Sequence, residues 1–226
     1  MSQLVGNYER IKQAIFAVKS SYDLQQHIGL LAVSKKKPAE MIRELYNAGH
    51  RYFGENYAQE MTQKANDLSD LDIKWSFIGQ LQSNKINKIV EHASEIQALA
   101  SIKHALLIEK AAIRFDKAPF PVFINVNVGE EESKGGINLL QLDNLYTQIT
   151  SQFPGLKVMG LMAIPPATFT DESDKEPPEP YLKLRRAANQ IGSAQLSLGM
   201  SRDLKIALRA GSNIVRIGTD IFGTRD

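Results

Sequence analysis

Residues 30–38 read Leu30-Leu31-Ala32-Val33-Ser34-Lys35-Lys36-Lys37-Pro38, a short apolar run that ends in lysine. Such a run is typical of a strand buried on both faces, and Pro38 suits the first turn of a following helix. Because burying an ammonium group is costly, a lysine at a buried strand end needs a reason. One reason is use of its amine, since partial burial lowers a lysine pKa and the neutral amine can form a Schiff base with an aldehyde. The alternative is an ordinary solvated charge run, because most lysines are exposed.

Similar apolar runs recur along the whole chain, with an amphipathic stretch between each pair. The runs are Ile28–Val33, Tyr52–Phe53, Trp75–Ile78, Ile96–Leu99, Val122–Val128, Val158–Ile164, Leu196–Leu198 and Ile214–Ile217. Apolar strands separated by helices indicate a parallel sheet that is covered on both faces. Eight such units predict a single-domain α/β protein, a (β/α)8 barrel over residues 1–226, with an extra N-terminal helix at about Leu4–Ser20. A doubly wound open sheet is the structural alternative.

The composition excludes several classes of protein. Twenty-seven basic residues balance 25 acidic ones for a net charge of +2, which gives no reason to expect binding to nucleic acid or to an anionic membrane. The chain has no cysteine, which removes disulfides, thiolate catalysis and Cys-ligated metals and suits a reducing cytosol. The N-terminus has no apolar signal segment, and no stretch reaches the roughly 20 apolar residues of a membrane span. We therefore expect a cytoplasmic protein.

The carboxyl ends of the strands are where a (β/α)8 barrel carries its active site. Side chains alternate along a strand, so Leu31, Val33 and Lys35 share one face, which we predict to be the barrel interior. At the end of the second strand, Glu55 or Asn56 is expected to reach a ligand. Asn56 also fits an N-cap for the following helix, and that interpretation alone would explain its residue type.

The last three strands end in residues suited to a flat ring and a phosphate. Met162 lies near the end of the sixth strand and could pack on a ring. Gly199 and Ser201 follow the seventh strand, and Gly218 and Thr219 follow the eighth. In many such barrels these two loops bind phosphate through backbone N–H groups and hydroxyls. Glycine next to serine or threonine is also ordinary turn chemistry, which is the alternative interpretation.

Arg216 lies inside the apolar run Ile214–Ile217, where a guanidinium must be paired. It is either directed at a ligand or part of a structural ion pair, with Glu55 as one candidate partner. An amine at Lys35, a phosphate pocket across the barrel mouth and an arginine between them would together suit an aldehyde that carries a phosphate. Pyridoxal 5′-phosphate (PLP) is such a molecule.

Six motifs, in order, resemble those of the pyridoxal phosphate homeostasis proteins, and the resemblance runs from about residue 28 to residue 225. The motifs are Ala32-Val33-Ser34-Lys35, Phe53-Gly54-Glu55-Asn56-Tyr57, Phe77-Ile78-Gly79 with Leu81-Gln82-Ser83-Asn84-Lys85, Gly160-Leu161-Met162-Ala163-Ile164, Leu198-Gly199-Met200-Ser201 and Arg216-Ile217-Gly218-Thr219. The resemblance implies a barrel similar to the N-terminal domain of alanine racemase, with PLP as cofactor.

The resemblance also implies roles for the candidate residues. Lys35 would form the Schiff base with PLP, Ser201, Gly218 and Thr219 would hold the phosphate, and Arg216 would face the pyridine nitrogen. An arginine there disfavours protonation of the ring, because two positive charges would adjoin. An unprotonated ring is a poor electron sink, so carbanion chemistry should be weak.

Two features depart from the pattern that this resemblance leads us to expect. Ser76 stands where we would expect histidine, so a proton-transfer or stacking role at that position is in doubt. The proline-rich segment Pro165–Pro180 is longer and more acidic than expected. We predict that it is an exposed and mobile loop, either a lid over the barrel mouth or a tolerated surface insertion.

Three functions are compatible with these residues. The first, which we favour, is a non-catalytic PLP-binding protein of PLP homeostasis, a monomer or weak dimer, with PLP-dependent apoenzymes as candidate recipients of the cofactor. The second is a PLP enzyme such as an amino-acid racemase. That reaction needs a second base opposite the lysine, and no residue points to one. The third is a phosphosugar aldolase or isomerase, which is disfavoured by analogy, because a Schiff-base aldolase lysine usually lies on a later strand.

Overall fold

A closed barrel of eight parallel strands forms the centre of the computed structural model, which describes residues 2–129, 135–166, 168–171, 176–193 and 195–224. The strands are β1 (Gly29–Val33), β2 (Tyr52–Glu55), β3 (Lys74–Phe77), β4 (Glu95–Leu99), β5 (Phe120–Val126), β6 (Leu156–Ala163), β7 (Gln195–Ser197) and β8 (Ile214–Ile217). They pair in chain order, and β1 also pairs with β8 from Gly29↔Ile214 to Ala32↔Ile217. This pairing closes the sheet, so the barrel prediction is confirmed and the open-sheet alternative is wrong.

Helices surround the barrel, one after each strand. They are α1 (Gln3–Ser21), α2 (Ala39–Asn47), α3 (Ala58–Asp67), α4 (Ile86–His92), α5 (Ile102–Arg114), α6 (Leu142–Gln152), α7 (Glu179–Gln190), α8 (Leu204–Arg209) and α9 (Thr219–Phe222). Helix α1 is the predicted additional N-terminal helix, which the structure confirms. Ser2 caps it, because the Ser2 side chain accepts a hydrogen bond from the Val5 N–H.

Apolar side chains form two separate clusters, one on each side of the sheet. Leu31 packs inside the barrel with Phe123, Met162 and Ile214. Its neighbour Ala32 belongs to the much larger cluster between the barrel and the helices. This alternation confirms the predicted parity of the first strand, and it directs the side chain of Leu31, like that of Val33, toward the barrel interior.

A chain of aromatic rings joins α1 to the barrel through a buried histidine. The ring of His50 lies 5.1 Å from Tyr8 and 4.8 Å from Phe53, both edge-on. His50 is 6% exposed, and its Nε2 donates to the Tyr52 carbonyl oxygen at 2.7 Å. Burial lowers the pKa of His50 to about 4, because the charged ring would be desolvated.

This histidine should make the protein sensitive to mild acid. In the unfolded chain His50 takes up a proton near pH 6.5, whereas the folded protein resists protonation down to about pH 4. The stabilisation is therefore complete above pH 6.5 and is lost as the pH falls toward 4, by roughly 3 kcal/mol of the free energy of unfolding. Urea unfolding at several pH values measures this loss. In His50→Gln, which does not titrate, we expect a flatter pH dependence, and parallel curves for the two proteins would contradict the assignment.

Candidate functional site

A cavity of about 440 Å³ opens at the carboxyl ends of the strands. Its volume falls in the range of small-molecule sites, roughly 300–1,000 Å³. The seven residues that the sequence predicted for cofactor binding all line it: Lys35, Asn56, Met162, Ser201, Arg216, Gly218 and Thr219. They come from the ends of five different strands, so closure of the barrel brings them together.

Lys35 lies on one wall of the cavity, two residues beyond the end of β1. It is half-buried and follows the parity of Leu31 and Val33, as predicted. The Lys37 N–H donates to the Ser34 carbonyl oxygen at 3.0 Å, so residues 34–37 form a turn that carries Lys35 in its second position. The next residue, Lys36, is exposed and does not line the cavity. The predicted preference for Lys35 over its neighbours therefore agrees with the geometry.

Ser201, Gly218 and Thr219 line the same cavity from the loops after β7 and β8. Gly218 lies immediately before α9 and close to the first strand, since a Cβ there would stand 3.2 Å from the Val33 carbonyl oxygen. Gly199 does not line the cavity. It adopts φ +101°, and a Cβ at this position would lie 2.6 Å from that of Ala207, so its role is to make the tight turn after β7.

Arg216 is 4% exposed and reaches the cavity from the barrel interior. Its Nη1 donates to the Ser197 carbonyl oxygen at 2.6 Å and to Ser197 Oγ at 2.8 Å, and its Nη2 donates to the Ala163 carbonyl oxygen at 2.6 Å. Burial lowers the pKa of Arg216 to about 10, so the guanidinium remains charged at neutral pH. The proposed ion pair with Glu55 is wrong, because backbone carbonyls and a hydroxyl hold the arginine instead.

Glu55 is fully buried and does not line the cavity. Its Oε1 accepts from Lys64 Nζ and from Ser34 Oγ, each at 2.7 Å. The expectation that Glu55 could reach a ligand is therefore wrong, and Asn56 is the residue of this pair that lines the cavity. The sequence did not indicate that Lys64 on α3 is buried, because Lys64 lies among polar residues that are typical of an exposed helix face.

Asn56 does not cap the helix that follows it. Tyr57 occupies the N-cap position of α3 and makes no side-chain cap bond. The Asn56 Oδ1 is buried and has no hydrogen-bond partner in the part of the chain that the structure describes. A buried carboxamide oxygen without a donor is costly, so its position beside the cavity fits a ligand that supplies one.

The donor set at this cavity fits an aldehyde that carries a phosphate. The cavity lining includes the amine of Lys35 together with small and hydroxyl residues. A charged arginine and an acceptor without a partner lie beside them, and Met162 offers a polarisable surface to a ring. PLP combines the aldehyde, the phosphate and a flat ring in one molecule, so the residues present fit this cofactor.

Comparisons with known proteins agree with this chemistry. Residues 7–226 match the family model of the alanine racemase N-terminal domain. A pyridoxal phosphate homeostasis protein of Escherichia coli is 36% identical over 100% of this chain and 98% of its own length. One of Aquifex aeolicus is 40% identical over 87% of this chain and 86% of its own. The chain belongs to the pyridoxal phosphate homeostasis protein family.

Solved structures share the fold of this chain. PipY of Synechococcus elongatus, solved with PLP bound, is 30% identical and superimposes with a TM-score of 0.82 over 98% of this chain and 100% of its own. The alanine racemase of Streptomyces coelicolor, at 16% identity and a TM-score of 0.71, shares the barrel fold over 58% of its length. Among the described residues, no helix has the length and apolar character to cross a membrane.

A chain of polar side chains runs through the barrel interior from Arg216. Ser197 Oγ donates to Gln97 Oε1 at 2.5 Å, and Gln97 Nε2 donates to Glu95 Oε1 at 2.6 Å. Ser76, in the position where the family resemblance led us to expect histidine, donates to the same Glu95 oxygen at 2.8 Å. Sequence analysis missed Ser197 and Gln97, although each is a polar residue inside an apolar run, the same signal that drew attention to Arg216.

The described residues of the proline-rich segment Pro165–Pro180 include some that pack more closely than the sequence predicted. Phe169 lines the cavity and stacks edge-on against Tyr181, with ring centroids 5.7 Å apart. The Asp171 carboxylate accepts from the N–H groups of Lys205 and Ile206, at 2.7 and 2.8 Å. The expectation of an exposed loop is wrong for these residues, because the carboxylate is held at the start of α8. Residues 167 and 172–175 of this segment lie outside the described part of the chain.

Proposed function

We propose that this protein binds PLP for intracellular PLP homeostasis, holding it as a Schiff base on Lys35 without strong catalysis. The observation that carries the proposal is the gathering of all seven predicted residues around one cavity. When bound, PLP would supply an aldehyde, and the Lys35 amine would hold it as a Schiff base, with loss of water. The whole chain, residues 1–226, would act as one PLP-binding domain.

The remaining residues of the cavity would bind and orient the cofactor. Ser201, Gly218 and Thr219 are suited to the phosphate through hydroxyl and backbone N–H groups. Met162 is suited to contact with the ring. Arg216, charged at neutral pH, would face the pyridine nitrogen and keep it unprotonated, since two adjoining positive charges repel. This would weaken the electron-withdrawing capacity on which most PLP enzymes depend.

The side chains around the cavity support a binding role over a catalytic one. Among the described lining residues, Asp203 is the only one with a carboxylate. This carboxylate already accepts hydrogen bonds from Tyr181 Oη at 2.6 Å and from the Met200 N–H at 2.7 Å. The described lining residues include no histidine, tyrosine or cysteine. A racemase would need a second base facing Lys35, and these residues do not provide one.

The test is to add PLP to the purified protein, reduce it with borohydride and map the modified peptide by mass spectrometry. We expect a pyridoxyl-phosphate adduct on Lys35. No adduct on any lysine would overturn the PLP assignment. Incubation of the loaded protein with single L- and D-amino acids then separates binding from catalysis. Racemisation or transamination at a rate typical of enzymes, about 1 per second or more, would favour the PLP-enzyme alternative.

A further inference from the structure

The turn that carries Lys35 has a backbone conformation that its sequence does not favour. Lys36, its third residue, has φ +59°, in the left-handed region. A turn with positive φ at this position normally takes glycine or asparagine there, because a Cβ is disfavoured. Strain of this kind persists only when the surrounding structure holds it, and it is frequent at ligand sites.

Three charged side chains from β2 and α3 hold both sides of this turn. Lys64 Nζ donates to the Ser34 carbonyl oxygen at 2.7 Å, immediately before Lys35. The carboxylate of Glu60 accepts from the Lys36 N–H, immediately after Lys35. Lys64 Nζ also joins the two carboxylates, at 2.7 Å from Glu55 Oε1 and 2.6 Å from Glu60 Oε1.

The cluster of Glu55, Glu60 and Lys64 is largely buried. The side chains of Lys64 and Glu55 are 7% and 0% exposed, and that of Glu60 is 22% exposed. Replacing a buried ion pair by apolar residues is often neutral or stabilising, so fold stability alone is a weak reason for such a cluster. All three donors of the Lys64 ammonium are used, and one of them binds the backbone beside Lys35. The contacts therefore fit a role in shaping the turn.

We propose that Glu55, Glu60 and Lys64 are positioning residues that hold the strained turn at residues 34–37 and thereby keep the Lys35 amine at the cavity wall. The inference deepens the proposed function and rests on it for its ligand. The three residues are needed to hold the turn because residue 36 is lysine rather than glycine and adopts a positive φ. Relief of the backbone strain at residue 36 should then make the cluster less necessary.

The test is a double-mutant experiment on Glu60 and Lys36. Glu60→Ala removes the acceptor of the Lys36 N–H but leaves the buried Lys64–Glu55 pair in place, so the protein should fold. We expect its PLP affinity, from absorbance titration, to fall about tenfold, because a misdirected amine reacts poorly. Glu60→Gln, which keeps an acceptor oxygen, should stay within about threefold of the unmodified protein.

Two substitutions of Lys36 provide the decisive comparison. Both Lys36→Gly and Lys36→Ala remove the same charge, but only glycine adopts positive φ without cost. Added to Glu60→Ala, glycine should restore PLP affinity to within about threefold of the unmodified protein, and alanine should not. Equal rescue by both, or unchanged affinity in Glu60→Ala, would overturn the inference.

A second readout needs no cofactor. Hydrogen exchange of the peptide that contains residues 34–37, measured without PLP, should be faster in Glu60→Ala and close to normal in Glu60→Gln. If the unmodified protein fails to form an adduct, the proposed function fails, whereas this exchange experiment still decides whether the cluster holds the turn. If hydrogen exchange of residues 34–37 were unchanged in Glu60→Ala, the cluster would not hold the turn, even if the protein binds PLP.

Discussion

Lys35→Ala is expected to abolish borohydride-stable PLP labelling while the barrel remains folded. Lys35 is half-buried on a turn beyond β1, so its removal leaves the β1 pairings with β2 and β8 intact. Without the amine no covalent bond to the aldehyde can form, although the phosphate pocket remains. Peptide mapping by mass spectrometry after reduction measures the label, and circular dichroism checks the fold.

Lys36→Ala is the matched control for this prediction. Lys36 adjoins Lys35 in the sequence but is exposed and does not line the cavity. We expect this variant to keep the adduct at Lys35 in full. Undiminished labelling of Lys35→Ala would refute the assignment of Lys35, as would a label on Lys36 in the unmodified protein.

Arg216→Gln should weaken both the fold and PLP binding. The arginine is 4% exposed and donates three hydrogen bonds, two to carbonyl oxygens on β6 and β7 and one to Ser197 Oγ. Glutamine cannot reach both strands, so we expect a loss of roughly 3 kcal/mol in the free energy of unfolding. PLP affinity should fall at least tenfold, because the group proposed to face the ring is removed. Urea unfolding and PLP titration measure the two effects.

Arg202→Gln provides the comparison for Arg216. Arg202 also lines the cavity, but it is exposed to solvent. Its replacement should change the free energy of unfolding by no more than about 0.5 kcal/mol. If the two variants were equally stable, the hydrogen bonds of Arg216 to Ser197 and Ala163 would not stabilise the fold as the geometry indicates.

The strands were easier to predict than their exact ends. The run Val122–Val128 marked the fifth strand correctly, but the strand is Phe120–Val126. Beyond it the backbone pairs with a later segment instead, since Asn127 N–H donates to the Ile137 carbonyl oxygen at 2.9 Å. An apolar run in the sequence indicates which residues are buried. A strand ends where its backbone hydrogen-bond partner changes, and that partner belongs to another part of the chain.

The sequence by itself determined the barrel, the inward parity of Leu31, Val33 and Lys35, and the small residues after the last two strands. These follow from local periodicity and from the rule that the carboxyl ends of parallel strands meet at one face.

Only the tertiary structure decided which groups hold these residues in place. Arg216 binds a carbonyl 53 residues away, Lys64 binds one 30 residues away, and Ser197 donates to Gln97 across 100 residues. Such partners depend on register and closure between distant segments. The sequence signalled that Arg216 must be paired, whereas the choice of carbonyl oxygens over Glu55 required the folded barrel.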